Sequence, residues 1–267
     1  MKILGILNIT EDSFTDGGKY LAPMDAMAHA DNLLADGADI LDIGAASSHP
    51  DAKAVSPEIE IARLETVVGP LHDIGASLSI DSFSTPVQRW AIRQGVDYLN
   101  DIHGFADPGL YPDLAAAHAK LIVMHMVQEQ GIATVGKAIR ADIPPEEIFD
   151  RILGFFEKRL TALTQAGVAP ERLILDPGMG FFLSSNPLAS LTVLQRLPEL
   201  GEAFGLPLLV SVSRKSFLKA LPGTQEEAGL AAELLATAHG ADYIRTHAPA
   251  ALRDGLKVLA SLDENTH

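Results

Sequence analysis

Residues 35–43 read ADGADILDI, and residues 238–246 repeat the arrangement as AHGADYIRT. In each stretch a helical pattern stops at a glycine, a short turn follows, and an apolar run of β-forming residues begins. Apolar runs with few polar positions are typical of parallel strands that are covered on both faces. The two stretches therefore predict a chain in which helices alternate with parallel strands.

Six further apolar runs extend this pattern along the chain. The predicted strands are 3–7, 39–43, 77–80, 97–100, 121–125, 173–176, 208–213 and 242–246. Helical patterns separate them, and no linker rich in Ser, Gly or Pro divides the sequence. About eight strand–helix units in 267 residues average roughly 33 residues, the usual size of a βα repeat. We therefore expect an α/β protein with one (β/α)8 TIM barrel domain over 1–267, and the alternative is a doubly wound open sheet.

The composition excludes several classes of function. With 20 Lys+Arg, 35 Asp+Glu and a net charge of −15, general nucleic acid binding is not expected. The chain has no Cys, which excludes disulfides, thiolate metal sites and cysteine nucleophiles. No apolar run approaches the roughly 20 residues of a membrane span, and the N-terminal run turns polar too early for a signal peptide. We expect a cytoplasmic protein without membrane contact, in which a local cationic cluster holds any anionic ligand.

Every predicted strand delivers a polar or charged side chain at its C-terminal end, where a TIM barrel carries its catalytic groups. These residues are Asn8, Asp42, Asp81, Asn100–Asp101, His125, Asp176, Ser213–Ser216 and Arg245–His247. One subset mixes hydrogen-bond donors and acceptors, as a planar heterocycle with N–H, amino and carbonyl groups requires. Its members are Asp81, Asn100, Asp176 and Lys215. Arg245 and His247 form the cationic cluster that a phosphate or pyrophosphate requires.

Some of these residues have a purely structural alternative. Asp81 and Asp176 could form an ion pair with Lys215 that merely orders the mouth of the barrel. His125, in the run LIVMHM, could equally be a hydrogen-bonded core residue. The sequence contains no P-loop, GxSxG, HExxH or glycosidase carboxylate pair, so those chemistries are not indicated.

Eight motifs occur in an order that resembles the dihydropteroate synthase family over essentially the whole chain. They are ILNITEDSFTDGG (6–18), DIGAASSHP (42–50), SIDSF (79–83), NDIHGF (100–105), VMHM (123–126), LDPGMGF (175–181), SVSRKSF (211–217) and RTH (245–247). The resemblance implies a (β/α)8 barrel transferase of folate biosynthesis. It would condense 6-hydroxymethyl-7,8-dihydropterin pyrophosphate with p-aminobenzoate, giving 7,8-dihydropteroate and pyrophosphate. It also implies a Mg²⁺ cofactor and a homodimer formed through late helices.

The resemblance implies a role for individual motif residues. The pterin-binding positions are Asp81, Asn100, Ile102, Met124, Asp176, Phe181 and Lys215, of which Asp81, Asp176 and Lys215 are also catalytic. The pyrophosphate-binding positions are Asn8, Arg245 and His247, and Asn8 is also the metal ligand. The p-aminobenzoate-binding positions are Phe14, Ser48, Pro50, Lys215 and Ser216. In an SN1-like reaction these groups would stabilise the leaving pyrophosphate and the cationic pterin before the arylamine attacks.

Residues 44–51 depart from the family pattern GGESTRPG. Ala46, Ser48, His49 and Asp51 replace its Glu, Thr, Arg and last Gly, and Phe182 stands where many members have Gly. This pattern is similar to the sulfonamide-insensitive branch of the family. Sulfonamides are bulkier than p-aminobenzoate, so we hypothesise that a reshaped pocket excludes the drug while still admitting the substrate.

Two other functions fit a pterin-binding barrel. The first is a catalytically inactive paralogue that binds pterins. Loss of a motif residue would favour it, but all five are present: Asn8, Asp81, Asp176, Lys215 and Arg245. The second is a barrel that transfers a methyl group from methyltetrahydrofolate to a corrinoid, and the intact SVSRKSF of 211–217 argues against it.

Overall fold

A computed structural model describes residues 1–9, 23–46, 55–127 and 143–264. Within these ranges the strands are β1 (Lys2–Asn8), β2 (Ile40–Gly44), β3 (Leu78–Asp81), β4 (Tyr98–Asp101), β5 (Lys120–Met124), β6 (Leu173–Asp176), β7 (Leu209–Val210) and β8 (Tyr243–Thr246). The helices are α1 (Pro23–Ala35), α2 (Pro57–Asp73), α3 (Thr85–Gln94), α4 (Tyr111–Ala116), α5 (Pro145–Gln165), α6 (Pro187–Gln195), α7 (Leu197–Phe204), α8 (Gln225–Ala238) and α9 (Pro249–Glu264). Among the described residues, no helix combines the length and apolar character needed to cross a bilayer.

The strands close into a barrel. They form one parallel sheet in the order β6-β5-β4-β3-β2-β1-β8-β7. A parallel bridge between Leu175 and Leu208 then joins the two edges of that sheet. The predicted (β/α)8 barrel is confirmed, since an open doubly wound sheet would leave its first and last strands unpaired.

The seventh strand is shorter than its sequence predicts. The apolar run over 208–213 suggests six strand residues, but only Leu209–Val210 pair as a strand. Beyond them the chain turns, because the Lys215 amide donates to the Val212 carbonyl at 3.0 Å and Arg214 adopts a φ of 58°. The turn takes the stretch around Lys215 out of the sheet and leaves it at the mouth of the barrel.

An aspartate before each of β2, β4 and β8 binds the backbone of the neighbouring strand. The bonds run from Ile3 N to Asp39 Oδ2 at 2.7 Å, from Leu78 N to Asp97 Oδ2 at 2.9 Å, and from Leu208 N to Asp242 Oδ2 at 2.9 Å. Each bond joins two adjacent strands at their amino ends, so it helps to fix their register. This bond explains why Asp39 and Asp242 stand directly before the strand in the stretches 35–43 and 238–246.

The barrel interior changes from apolar to polar along the strands. Its lower layer is an apolar cluster of Leu4, Ile40, Ile122, Ile174, Leu209 and Tyr243, with Tyr98 packed against it. Side chains alternate between the two faces of a strand, so the residue two positions later also points inward. Two residues after Ile40, Tyr98, Ile174 and Tyr243 stand Asp42, Asn100, Asp176 and Arg245. The fold therefore collects charged and amide groups at the carboxyl end of the barrel.

The turn after β6 requires glycine at position 178. Gly178 has a φ of 74°, and a Cβ there would overlap the His125 carbonyl oxygen. Gly178→Ala should therefore lower the free energy of unfolding by roughly 3–5 kcal/mol, from backbone strain and overpacking together. Gly75→Ala is the matched control, since Gly75 has a φ of 75° but no heavy atom within 4 Å of an added Cβ. That variant should lose only about 1–2 kcal/mol in urea denaturation, and equal losses would contradict the account.

Candidate active site

A buried arginine joins three strands at the mouth of the barrel. Arg245 of β8 donates from Nε to Asp42 Oδ2 at 2.5 Å and from Nη2 to Asp81 Oδ2 at 2.7 Å. The Asp42 side chain is fully buried, and those of Asp81 and Arg245 are 18% and 15% exposed. Each of the two carboxylates therefore accepts from a guanidinium N–H, and this pairing offsets part of the unfavourable burial of the charges.

Asn100 extends this network and leaves acceptors free. Its Nδ2 donates to Asp42 Oδ2 at 3.1 Å, and Asn100 is the register partner of Asp81 on the adjacent strand. Among the described residues, Oδ1 of Asn100 and Oδ1 of Asp42 are buried without a hydrogen-bond partner. An unpaired buried acceptor is unfavourable by about 1–3 kcal/mol, so a ligand rich in N–H groups would be stabilised here.

The two predicted catalytic carboxylates have raised pKa values. Burial raises the pKa of Asp81 to about 7, against the opposing charge of Arg245. Burial also raises the pKa of Asp176 to about 6, although the Gly178 amide donates to its Oδ1 at 2.8 Å. Raised carboxyl pKa values in a cleft are typical of groups that act on a ligand.

Lys215 lies beside the carboxylates without binding them directly. Its Nζ is 4.6 Å from the centroid of the Phe182 ring, and the residue is half-buried. Burial and the charge of Arg245 lower its pKa to about 8, against the attraction of the two aspartates. Among the described residues, Lys215 forms no ion pair with Asp81 or Asp176, and Asp81 is paired to Arg245 instead. Within the described part of the chain, the purely structural alternative, an ion pair of Lys215 with these two carboxylates, is therefore not formed.

The predicted anion-binding side contains a neutral histidine. His247 Nδ1 lies 2.9 Å from Ser213 Oγ, and the His247 amide donates to the same oxygen at 3.2 Å. Burial, with the charges of Arg214 and Arg245, lowers the pKa of His247 to about 3. At neutral pH the imidazole is therefore a hydrogen-bonding group, and the permanent charge expected of this cluster comes from arginine. Asn8 is exposed at the end of β1.

Apolar side chains form one wall of the mouth. Ile102, Met124 and Phe182 are buried together, with Phe83, Met126 and Phe181 packed against them. The rings of Phe181 and Phe182 have centroids 4.1 Å apart. The structure thus brings three predicted pterin-pocket residues, Ile102, Met124 and Phe181, to one surface beside the polar groups.

Of the four remaining predicted p-aminobenzoate residues, the structure describes only Ser216. Ser216 is exposed and, with Phe181 and Lys215, lines a cavity of about 600 Å³. The predicted p-aminobenzoate residues Phe14, Ser48 and Pro50 lie outside the described residues.

His103 and His125, which follow β4 and β5, have packing roles. His125 is buried, with Nδ1 3.1 Å from the Pro177 carbonyl oxygen, so its core alternative is confirmed. The ring of His103 packs against Phe83 with centroids 4.5 Å apart.

In the sequence, Asp42 stands out only as a polar residue of the second strand, with no role indicated. The structure places it at the centre of the ion-pair network. The available signal was its position two residues after Ile40, on the inward face of a strand that is otherwise apolar. Its partner Arg245 lies 203 positions further along the chain, so the sequence did not indicate the contact.

Comparisons with known proteins agree with this geometry. A family model described as "Pterin binding enzyme" matches residues 4–247. Dihydropteroate synthase type-2 of Escherichia coli is 54% identical over 266 residues, which are 98% of this chain and 96% of the relative. The chain belongs to the dihydropteroate synthase family.

Solved structures of the family share the barrel. Dihydropteroate synthase of Xanthomonas albilineans with 4-aminobenzoic acid superposes with a TM-score of 0.86 at 32% identity, covering 98% of this chain and 93% of the other. The Burkholderia cenocepacia enzyme complexed with 7,8-dihydropteroate has a TM-score of 0.85 at 32% identity, covering 99% and 92%. The predicted family is confirmed.

Asp42→Asn tests the ion-pair network of this family member. The substitution leaves one side of the buried Arg245 guanidinium without a charge partner, so the free energy of unfolding should fall by roughly 3 kcal/mol. Asp113→Asn is the matched control, because its ion pair with Arg89 is about as short, 2.8 Å, but 44% exposed at the aspartate. The control should change stability by less than about 1 kcal/mol in urea denaturation. If Asp42→Asn lowers the free energy of unfolding no more than Asp113→Asn does, the buried ion pair does not stabilise the fold more than an exposed one.

Proposed function

We propose that this chain is an active dihydropteroate synthase. It would condense 6-hydroxymethyl-7,8-dihydropterin pyrophosphate with p-aminobenzoate to 7,8-dihydropteroate and pyrophosphate. The observation that carries the proposal is the set of acceptors at the barrel mouth, where Asp81, Asn100 and Asp176 face inward beside an apolar wall. A dihydropterin presents ring N–H and amino donors along its edge and an apolar face, which match this arrangement.

The pterin would lie flat against the wall and point its donors at the carboxylates. Asp81 and Asp176 would accept from ring and amino N–H groups, and the free Oδ1 of Asn100 would accept one more. Ile102, Met124 and Phe181 would contact the ring face. The charge of Lys215 interacts with both carboxylates, although its Nζ makes no direct bond to them. Lys215 would donate to the pterin carbonyl or to a ring nitrogen.

The pyrophosphate would lie between the ends of β1 and β8. Arg245 supplies charge, and neutral His247 supplies an N–H, with its other ring nitrogen beside Ser213. Within the described ranges no group of three or more His, Asp or Glu is arranged to hold a metal. Mg²⁺ often keeps waters and binds through substrate phosphates plus one or two protein oxygens.

Asn8 fits such a metal. Its side chain is exposed, and glycine at position 44 leaves space beside it, since a Cβ there would lie 3.2 Å from Asn8 Oδ1. Bound to the pyrophosphate, Mg²⁺ would neutralise charge on the leaving group. Asn8 would contribute one oxygen ligand, and the substrate and water would contribute the others.

The reaction then needs little proton transfer. The C–O bond to pyrophosphate breaks, and the electron pair leaves with the oxygen. The positive charge left on the pterin methylene is stabilised by the ionised Asp81 and Asp176. The p-aminobenzoate nitrogen forms the new C–N bond and loses one proton, which passes to the departing pyrophosphate or to water. Lys215 and Ser216, with Phe14, Ser48 and Pro50, would hold the p-aminobenzoate.

Steady-state dihydropteroate formation with Mg²⁺ tests the proposal, and Asp176→Asn tests the site. The variant should lose about 10²-fold in kcat, the effect of removing one electrostatic stabiliser. For wild type, kcat/KM for the pterin should rise as pH increases through about 6 to 7, since Asp176 and Asp81 must be ionised to stabilise the positive charge on the pterin. It should fall above about pH 8 as Lys215 loses its proton.

Other outcomes of this experiment would point elsewhere. Wild-type kinetics in folded Asp176→Asn would show that the site is misplaced. A folded wild-type chain that binds pterin without turnover would be the inactive paralogue. Transfer of a methyl group to a corrinoid instead would establish the other alternative.

We also propose that the enzyme is insensitive to sulfonamides. Phe182 is buried under Lys215, and its ring is in contact with that of Phe181, beside the cavity that would take p-aminobenzoate. A bulky side chain at a position that is glycine in many members leaves less room for a sulfonyl substituent.

Inhibition by sulfamethoxazole tests this proposal. Wild-type turnover should persist at drug concentrations that stop an ordinary family member, and Phe182→Gly should lower the inhibitory concentration while leaving the KM for p-aminobenzoate within about threefold. Low micromolar inhibition of the wild-type enzyme would contradict insensitivity. Unchanged resistance in Phe182→Gly would move the cause to His49, Asp51 or Phe105.

The proposed assembly is a homodimer formed through late helices. Leu235 on α8 and Val258 and Leu262 on α9 are large apolar side chains that are exposed in the single chain. Light scattering on the purified protein would measure its mass. A cytoplasmic location and a single-domain organisation stay predictions.

A further inference from the structure

A buried glutamine lies behind the predicted pterin pocket. Gln88 of α3 is 2% exposed. Its Nε2 donates to the Ser82 carbonyl at 2.8 Å and to Asp101 Oδ2 at 2.8 Å. Neither acceptor is a predicted pterin residue, but each directly follows one, since Ser82 follows Asp81 and Asp101 follows Asn100. One side-chain nitrogen therefore links the ends of β3 and β4.

Asp101 transmits this contact to the loop after β4. Its Oδ1 accepts from the His103 amide at 2.7 Å, and its Oδ2 accepts from the Phe105 amide at 3.0 Å. Phe105 has a φ of 60°, a conformation that non-glycine residues adopt only when the surroundings hold it. Ile102, one of the apolar residues of the predicted pterin pocket, lies in this loop between Asp101 and His103. The geometry of this loop thus depends on the Asp101 carboxylate.

Ser82 completes a closed set of bonds between the two strands. Its amide donates to the Asn100 carbonyl at 3.0 Å, while its carbonyl accepts from Gln88. Asp81 and Asn100 are themselves register partners across β3 and β4. With the backbone bond on one side and the Gln88 bridge on the other, the two strand ends cannot separate or rotate without breaking hydrogen bonds.

We propose that Gln88 is a positioning residue that holds Asp81 and Asn100 at the spacing a pterin requires. It touches no substrate atom and acts through Ser82 and Asp101. This inference rests on the proposed function, since it assigns pterin binding to the two residues that Gln88 orients. Displacements of about 1 Å at such a site are large enough to change rate or affinity by up to about 10²-fold.

Gln88→Met removes both hydrogen bonds and keeps the side-chain volume. Calorimetric Kd for the pterin pyrophosphate should rise about tenfold or more, while the KM for p-aminobenzoate stays within about twofold. Gln94→Met is the matched control, because Gln94 ends the same helix with an exposed side chain, and it should match wild type. If the pterin Kd of folded Gln88→Met equals that of wild type, Gln88 has only a packing role.

Gln88→Glu provides a test within one folded protein. Its carboxyl would face Asp101 directly, with Glu60 of α2 near Ser82 and with Arg159 of α5 and His103 beyond Asp101. At about pH 8 the two carboxylates repel each other, and at about pH 6 one shared proton restores a hydrogen-bonded bridge. The ratio of variant to wild-type pterin Kd should therefore fall by about fivefold or more between these pH values, with no such change in Gln94→Glu.

The outcomes separate the two proposals. Wild-type protein that does not bind the pterin pyrophosphate overturns the proposed function, and this inference with it. Wild-type binding and turnover, with Gln88→Glu showing a pH-independent Kd ratio, overturn the positioning role alone. Should Gln88→Met not fold, the Gln88→Glu series decides.

Discussion

The site depends on the double ion pair that Arg245 makes with Asp42 and Asp81. Two carboxylates and one guanidinium lie in the mouth of a barrel whose layer below is apolar, where an unpaired charge is unfavourable. The pairing fixes the ends of β2, β3 and β8 relative to one another, and Asn100 adds β4 through its bond to Asp42. Once these strand ends are set, Asp81 and Asn100, two of the three acceptors of the proposed pterin site, are in place.

The barrel makes this arrangement possible by a simple alternation. Every second side chain of a strand points into the barrel. The inward side chains two residues after the apolar layer therefore form the next layer, nearer the carboxyl ends of the strands. The aspartates at the amino ends fix the register from below, and the Leu175–Leu208 bridge closes the circle. The hydrogen bonds of Gln88 and Asp101 then refine the positions of two strand ends from outside the barrel.

Much of this was predictable from the sequence, because alternation and apolar runs are local properties. The strand runs, the barrel and the polar residues at strand ends follow from patterns of a few residues. The partners of those residues do not, since Arg245 meets carboxylates more than 160 positions away in the chain. The neutral state of His247 depends on burial and on neighbouring cations that only the folded chain brings together. The short β7 depends on a turn at Arg214, which the preceding apolar run does not indicate.

A crystal structure of the chain with the pterin pyrophosphate and Mg²⁺ would test the proposed site. Ring and amino nitrogens of the pterin should lie within about 3.2 Å of oxygens of Asp81, Asn100 and Asp176. The pyrophosphate should lie beside His247 and Asn8, and the Asp42–Arg245 pair should be unchanged. A pterin bound elsewhere, or one whose N–H groups lie more than about 4 Å from all three side chains, would contradict the proposed site.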